Sequence, residues 1–314
     1  VTLVGKAVAD AWGVPFELMP PDADKLQRWD GGPPTTGSPF HGCGPGQYSD
    51  DTQMALCLAR ALVAGGGYRQ ELAAAQYLTW YQSGEARGMG NAVRAAMENL
   101  DAGASFEECG IHGAKGSGTA MRALPLGLWY WRDTMKLKEV CEADALLTHV
   151  RAEAVDGSYV IAAMAAYVLA SSQARKTAVP RVSPGLVRIL GKQLPRESTL
   201  GAALNMAAAL GESEELLTGG KPGKLNALIA LSAGLEDGVV EAVGTAVAAI
   251  LLGEDYRQVV ELSIRTGGDT DTRAAMAGGV TSLWSPVPAD MKRYIQELDE
   301  LVTLDRALLP PAKV

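Results

Sequence analysis

The sequence predicts an all-α protein, a single compact bundle of many helices. Three observations carry this. Apolar residues recur at helical spacing through most of the chain. Runs that alternate apolar and polar residues with β-branched side chains are almost absent. No strand–helix–strand rhythm and no fixed-period repeat interrupts the pattern. The chain has 314 residues, 47% of them hydrophobic and 20% charged, enough to bury a sizeable core. Aromatic residues are only 6%, so Ala, Leu, Val and Gly must fill most of that core. No segment is long and featureless enough to be a clear domain linker, so residues 1–314 read as one domain.

In chain order, the first helix should end at Gly13 and Pro15 and project Glu17 from a loop. Asp30 to Gln47 (DGGPPTTGSPFHGCGPGQ) is a Gly/Pro-rich loop. Thr52 to Val63 places Met54, Leu58 and Ala61 on one face with Leu62 beside them, an amphipathic helix that Gly65-Gly66-Gly67 stops. Gly110 to Gly118 (GIHGAKGSG) is a second loop. Tyr159 to Ala170 is apolar all round and should lie buried in the middle of the bundle. Leu200–Leu210, Gly238–Leu252 and Asp271–Leu283 read the same way. Two polar stretches read as surface connections: Ser171 to Ser198, with Pro180, Pro184 and Pro195, and Gly211 to Lys224, with Gly219-Gly220.

Composition excludes several classes of function. The 28 basic and 36 acidic residues give a net charge of −8 with no long Lys/Arg run, which argues against general nucleic-acid binding. A charged small ligand stays compatible, because a metal can reverse the local field. Cys43, Cys57, Cys109 and Cys141 form no CxxC pair, and His41, His112 and His149 are scattered, so a zinc or copper site is not indicated. The four thiols suit a reducing compartment. The opening VTLVGKAVADAWG lacks the pattern of a signal peptide. The most apolar stretch, which follows Glu241, is about half the ~20 residues a spanning helix needs. A cytoplasmic protein without membrane association is expected.

Chemistry concentrates at a few places. Tyr48-Ser49-Asp50-Asp51-Thr52 and Gly267-Gly268-Asp269-Thr270-Asp271-Thr272 each open an apolar helix. Ser, Thr and Asp are ordinary helix caps. Here, however, each first turn holds more carboxylates than capping needs, and such like charges repel unless a cation bridges them. Oxygen donors without His or Cys suit Mg²⁺ or Mn²⁺. If folding brings the two turns together, four Asp and the neighbouring hydroxyls can hold two divalent ions. Glu17 follows the first helix. Gly116-Ser117-Gly118 offers small residues that let a ligand approach the backbone, without the pattern of a nucleotide-triphosphate loop. His149 follows Thr148.

Taken in order, GKAVADAWGVPFE, YSDDTQM, RGMGNAV, GSGTAMRALPLGL, THVRAEA and GGDTDTRAAMAGG make a sequence that resembles the ADP-ribosylglycohydrolase family. The resemblance runs from Gly5 to about Trp284, and its most specific part is the SDDT and GGDTDT pair in that order. It implies an all-α orthogonal bundle with two Mg²⁺ ions in a cleft, Mn²⁺ being possible. Carried onto this chain, the metal ligands are Ser49, Asp50, Asp51, Asp269, Asp271 and Thr272. Glu17, the family's mobile acidic residue, acts in catalysis with Asp50 and Asp51. Glu17, Gly88, Gly90, Gly116, Ser117, Gly118 and His149 would meet the substrate, an ADP-ribosylated protein or another ADP-ribose conjugate. The implied reaction is hydrolysis of the bond between ADP-ribose and a modified side chain.

The chain departs from the family pattern at three points. Ala9 precedes Asp10 where glycine is usual, and Ser117 stands where Asn is frequent. Gly88 occupies the position at which some members, including arginine-directed ones, carry an Asp. That last feature is closer to members that act on serine-linked ADP-ribose or poly(ADP-ribose). A Mg²⁺-dependent phosphohydrolase for a nucleotide diphosphate, or a non-catalytic ADP-ribose binder, would use the same residues.

Overall fold

A computed structural model describes residues 2–34, 36–37, 42–175 and 180–308. Of the Asp30–Gln47 loop, residues 35 and 38–41, His41 among them, lie outside the described residues.

Helices α1 (Thr2–Gly13), α2 (Asp24–Gln27), α3 (Asp50–Gly65), α4 (Gln70–Gln82) and α5 (Asn91–Asp101) build the first third. Then come α6 (Gly118–Arg122), α7 (Leu124–Trp129), α8 (Thr134–Leu146), α9 (Ala152–Arg175) and α10 (Pro184–Gln193). The last part holds α11 (Thr199–Glu212), α12 (Glu214–Thr218), α13 (Lys221–Ala233), α14 (Val239–Leu252), α15 (Tyr256–Arg265), α16 (Thr270–Thr281), α17 (Ala289–Lys292) and α18 (Leu298–Leu308). Among the described residues the only sheet pairs β1 (Ile111–His112) in parallel with β2 (His149–Val150).

The apolar segments form helices where their periodicity predicts, in α3, α9, α11, α14 and α16. Gly66, in the left-handed conformation, caps the end of α3. The two polar stretches differ from expectation, because they are not only connections. Ser171–Ser198 contains the end of α9 and all of α10, and Gly211–Lys224 contains α12 and the start of α13. The reason is local. Pro184 and Pro222 fall in the first turn of a helix, where a missing N–H costs nothing. The Ser183 side chain accepts from Leu186 N at 3.2 Å and caps α10. Pro184 therefore starts a helix rather than breaking one.

α14 is buried along its whole length and is the centre of the bundle, with α11, α13, α15, α16 and α9 around it. Ala152–Ser172 of α9 is long and apolar enough to cross a membrane, but 67% of its most apolar window is buried inside the bundle, as in a core helix.

α1 and α16 set the geometry of the site. A Cβ on Gly5 would lie 2.4 Å from Ser282 Cβ, one on Gly278 2.4 Å from Ala9 Cβ, and one on Gly13 2.5 Å from Asp271 Cα. The start of one helix thus meets the end of the other, so they run antiparallel in near-backbone contact, which only small residues permit. This brings the first turn of α16 against the end of α1. The other end of α1 is capped from afar by Asp305 in α18, which accepts from Thr2 N at 2.8 Å, Leu3 N at 2.8 Å and Val4 N at 3.2 Å.

Candidate active site

The second acidic turn is brought to α1 by a single carboxylate. Asp10, fully buried on α1, accepts from Ser49 N and Ser49 Oγ at 2.9 Å through one oxygen. Through the other it accepts from Thr52 N at 3.0 Å and Thr52 Oγ1 at 2.5 Å. It does for α3 what an adjacent N-cap residue does elsewhere. Ser49 also caps in the ordinary way, accepting from Asp51 N at 3.3 Å. Asp50 N donates to Arg87 O at 2.6 Å, which ties the 85–90 segment to the same turn.

The α16 turn is held differently. Asp269 occupies the N-cap position but makes no side-chain cap bond. Gly267 and Gly268 have φ of +67° and +69°, a backbone that other residues adopt at a cost, and they allow the sharp entry. Gly268 O accepts from Leu18 N at 2.8 Å and Gly268 N donates to Met19 O at 2.7 Å, so the segment carrying Glu17 is stitched to this turn. Arg273 braces it from behind. Its guanidinium pairs with buried Glu241 at 2.6 Å and donates to Thr266 Oγ1 at 2.9 Å and to Gly267 O.

These constraints converge on one cleft of about 250 Å³, lined by Glu17, Asp50, Asp51, Asp269, Asp271 and Thr272. Gly88, Gly90, Gly116, Ser117, Gly118 and His149 line it as well. One oxygen from each of Glu17, Asp269 and Asp271 lies within 4.8 Å of the others. Thr272 Oγ1 donates to Asp51 Oδ2 at 3.1 Å, and Ser117 Oγ to Asp269 Oδ2 at 3.3 Å. Of the residues named from sequence, Ser49 alone does not line the cleft. Its hydroxyl is turned to Asp10 and, at 3.2 Å, to Asp51.

Burial and mutual repulsion raise the acids. Glu17 is pushed up to about 8, first by burial and then by Asp269, Asp51 and Asp10. Asp51 also rises to about 8, mainly by burial, with Lys6 opposing. Asp50 and Asp271 are pushed well up by burial and by their acidic neighbours. Among the described residues, Asp51 Oδ1 is buried with no hydrogen-bond partner. An orphaned carboxylate oxygen amid four other carboxylates, in a cleft whose candidate ligand group among the described residues, Glu17, Asp269 and Asp271, is all carboxylate, fits a hard divalent cation.

The glycine loop and His149 rest on a buried ion pair. Arg122 donates to Asp144 Oδ2 at 2.8 Å, Gly118 O at 2.9 Å and Thr148 Oγ1 at 2.8 Å, and Tyr77 OH donates to Asp144 Oδ1 at 2.9 Å. Thr148 Oγ1 in turn bonds His149 Nδ1 at 2.9 Å. A Cβ on Gly118 would sit 2.8 Å from His149 Cε1, and one on Gly116 3.2 Å from Nε2, so the imidazole is packed flush against the glycine loop. Burial and the Arg122 charge bring His149 down to about 3, which keeps it neutral.

The family model of ADP-ribosylglycohydrolase matches residues 2–312. The chain belongs to the ADP-ribosylglycohydrolase family. The family is metal-dependent, in keeping with the acidic cleft. Among its relatives is the ADP-ribosylarginine hydrolase Tri1 of Serratia proteamaculans, 28% identical over 60% of this chain and 52% of that protein. The chain thus spans about half the length of that curated relative. The ADP-ribosylhydrolase ARH3 of Danio rerio is 26% identical over 83% of this chain and 77% of its own. A solved structure titled as an ADP-ribosylglycohydrolase-related protein complex superposes with a TM-score of 0.74 at 24% identity, covering 98% of this chain and 95% of that one. It establishes the all-α ADP-ribosylglycohydrolase fold.

Several residues that build this family member's cleft escape sequence reading. Asp10, Arg122, Asp144, Arg273 and Glu241 act through other residues, and Lys6 lies under the acids without bonding to them. The one signal for Lys6, Asp10 and Glu241 is a charge set in an otherwise apolar helix, α1 or α14, whereas Asp144 lies among other charges in α8 and gives none.

Proposed function

We propose that this chain is a Mg²⁺-dependent hydrolase that cleaves the glycosidic bond between ADP-ribose and a modified protein side chain. The observation that carries the reading is the convergence of Glu17, Asp50, Asp51, Asp269 and Asp271 in one cleft with a glycine loop backed by a neutral His149. Asp50, Asp51, Asp269, Asp271 and Thr272 would hold two Mg²⁺ ions, or Mn²⁺, with Ser49 behind them. Bound there, divalent ions would supply Lewis-acid polarisation of substrate oxygens and a lowered pKa for water. Gly116, Ser117 and Gly118 present backbone to the ribose and diphosphate. Glu17 stands beside the acids, and in the metal-free cleft burial and their charges push it up to about 8, so there it carries a proton near neutral pH. It can hand that proton to the departing oxygen as an oxocarbenium-like transition state forms.

We favour an O-linked substrate, serine before arginine. Gly88 lines the cleft without a side chain, and Glu85 lines a separate cavity with Tyr48, Arg60 and Trp80. The segment therefore brings no carboxylate to a guanidinium leaving group, whereas a serine oxygen needs only a proton. The name of the Tri1 relative favours the other reading, ADP-ribosylarginine. Matched peptides carrying one ADP-ribose on Ser or on Arg test both, with and without Mg²⁺. The expected result is free ADP-ribose, released only with the metal and with higher kcat/KM on the serine peptide. Release of AMP would mean phosphoanhydride cleavage instead, and binding without turnover would mean a reader. Preference for the arginine peptide would overturn the linkage alone.

A further inference from the structure

Lys6 lies on α1, one helical turn before Asp10, in a helix otherwise apolar apart from Thr2 and Asp10. It is fully buried, and among the described residues its Nζ has no hydrogen-bond partner. Its stem is packed against α16, where a Cβ on Gly279 would come 3.2 Å from Lys6 Cβ. A buried ammonium persists only where opposite charge compensates it. Burial pulls Lys6 downward, and the charge that opposes it comes, in order of strength, from Asp51, Asp10, Asp50 and Asp271. Lys6 bonds to none of them and acts across the low-dielectric interior, where a unit charge is felt well beyond contact distance.

The charge count gives this a purpose. Glu17, Asp10, Asp50, Asp51, Asp269 and Asp271 crowd the floor of the cleft and the layer beneath it. Two divalent ions would offset four of those charges and leave a surplus. We propose that Lys6 is the built-in counter-cation of the acidic cleft, a positioning residue that steadies the carboxylates before metal arrives and loosens the grip on metal afterwards. The second half rests on the divalent-ion reading above.

The test compares the full-length wild type with Lys6→Met, which keeps bulk and removes charge. Calorimetric Mn²⁺ titration at pH 8 and Tm in EDTA are the readouts. Mn²⁺ should bind on the order of tenfold more tightly to Lys6→Met, because a repelling charge is gone. The variant's Tm in EDTA should fall, because the acids lose their partner. Unchanged Mn²⁺ affinity with a raised Tm would overturn the inference; that is how a merely unpaired buried ammonium behaves on removal. If Lys6→Met alone does not fold, Lys6→Met/Asp51→Asn, which removes one charge of each sign, should fold and recover Tm toward the wild-type value in EDTA. Failure to recover also overturns it. Wild type that binds no Mn²⁺ overturns the divalent-ion reading itself, while the Tm comparison still decides whether Lys6 is a counter-charge.

Discussion

Glu17 shows how one residue acquires its chemistry from its surroundings. It closes a short 3₁₀ turn, Val14–Phe16, and is followed by Leu18, which is largely exposed and has a φ of +60°. Such a backbone is costly for leucine, and the paired bonds to Gly268 hold it there. The strain aims Glu17 at Asp269 and Asp271. Glu17→Gln keeps the shape and removes proton transfer, so kcat should fall by about 10²–10⁴-fold while ADP-ribose still binds. Steady-state kinetics with calorimetric ADP-ribose binding check this, and a wild-type kcat would remove Glu17 from the mechanism. Asp269→Asn should instead abolish the response to added Mg²⁺ with the helical circular dichroism intact, since Asp269 makes no capping bond whose loss would unravel α16. Asp50, Asp51, Asp269 and Asp271 are legible because each pair puts more carboxylate in a turn than a cap requires, whereas the role of Glu17 is legible only through the family resemblance. Asp10 and Arg122 are not, because their partners are distant in sequence: Asp10 reaches Ser49 and Thr52, and Arg122 reaches Asp144 and Thr148.

At the scale of elements, α1 is the part that assembles the site. It carries Asp10 for the first turn of α3, packs by glycine against α16, and delivers Glu17 at its end. Periodicity finds such helices but does not say which of them touch, and small residues at Gly5, Gly13 and Gly278 read as weak helix formers rather than as a contact face. Pro184 reads as a break for a related reason, since proline opens helices as readily as it ends them. Two substitutions test α1. Asp10→Asn offers one acceptor oxygen where four donors converge and places an NH₂ against some of them. Losing a buried, charge-assisted network of this kind costs about 3–5 kcal/mol, measurable by urea denaturation, and Mg²⁺ affinity should drop with it. Gly13→Ala sets a methyl 2.5 Å from Asp271 Cα. Overpacking of that order costs about 1–3 kcal/mol, and because the displaced backbone belongs to a metal-binding turn, Mg²⁺ affinity should again fall. If either variant bound Mg²⁺ like the wild type, α1 would be a scaffold for the core and not for the cleft.

For the whole molecule, the fold stores repulsion at its centre, and that should appear as an unusual dependence of stability on pH. In the unfolded chain these carboxylates titrate near pH 4. In the folded protein without metal, Glu17 and Asp51 titrate at about 8, and Asp10, Asp50 and Asp271 move in the same direction. Between those values the folded state binds more protons than the unfolded one. Stability therefore falls as pH rises through the window, at about 1.4 kcal/mol per pH unit for each such proton. A salt-bridged carboxylate behaves in the opposite way. His149 opposes the trend lower down, because with its value near 3 the folded state binds fewer protons than the unfolded chain up to about 6.5. Lys6, pulled downward by burial, opposes it at the alkaline end. Between roughly pH 6.5 and 8 the acids should dominate, so Tm in EDTA should drop across that interval. Saturating Mg²⁺ should flatten the drop, because the Asp carboxylates that hold the metal are then ionised and compensated at both ends of it. Scanning calorimetry in EDTA and in Mg²⁺ measures both curves. A Tm in EDTA that stays level or climbs would mean the cleft does not retain its protons, and Glu17 would then have to obtain its proton from the substrate complex rather than from the folded chain.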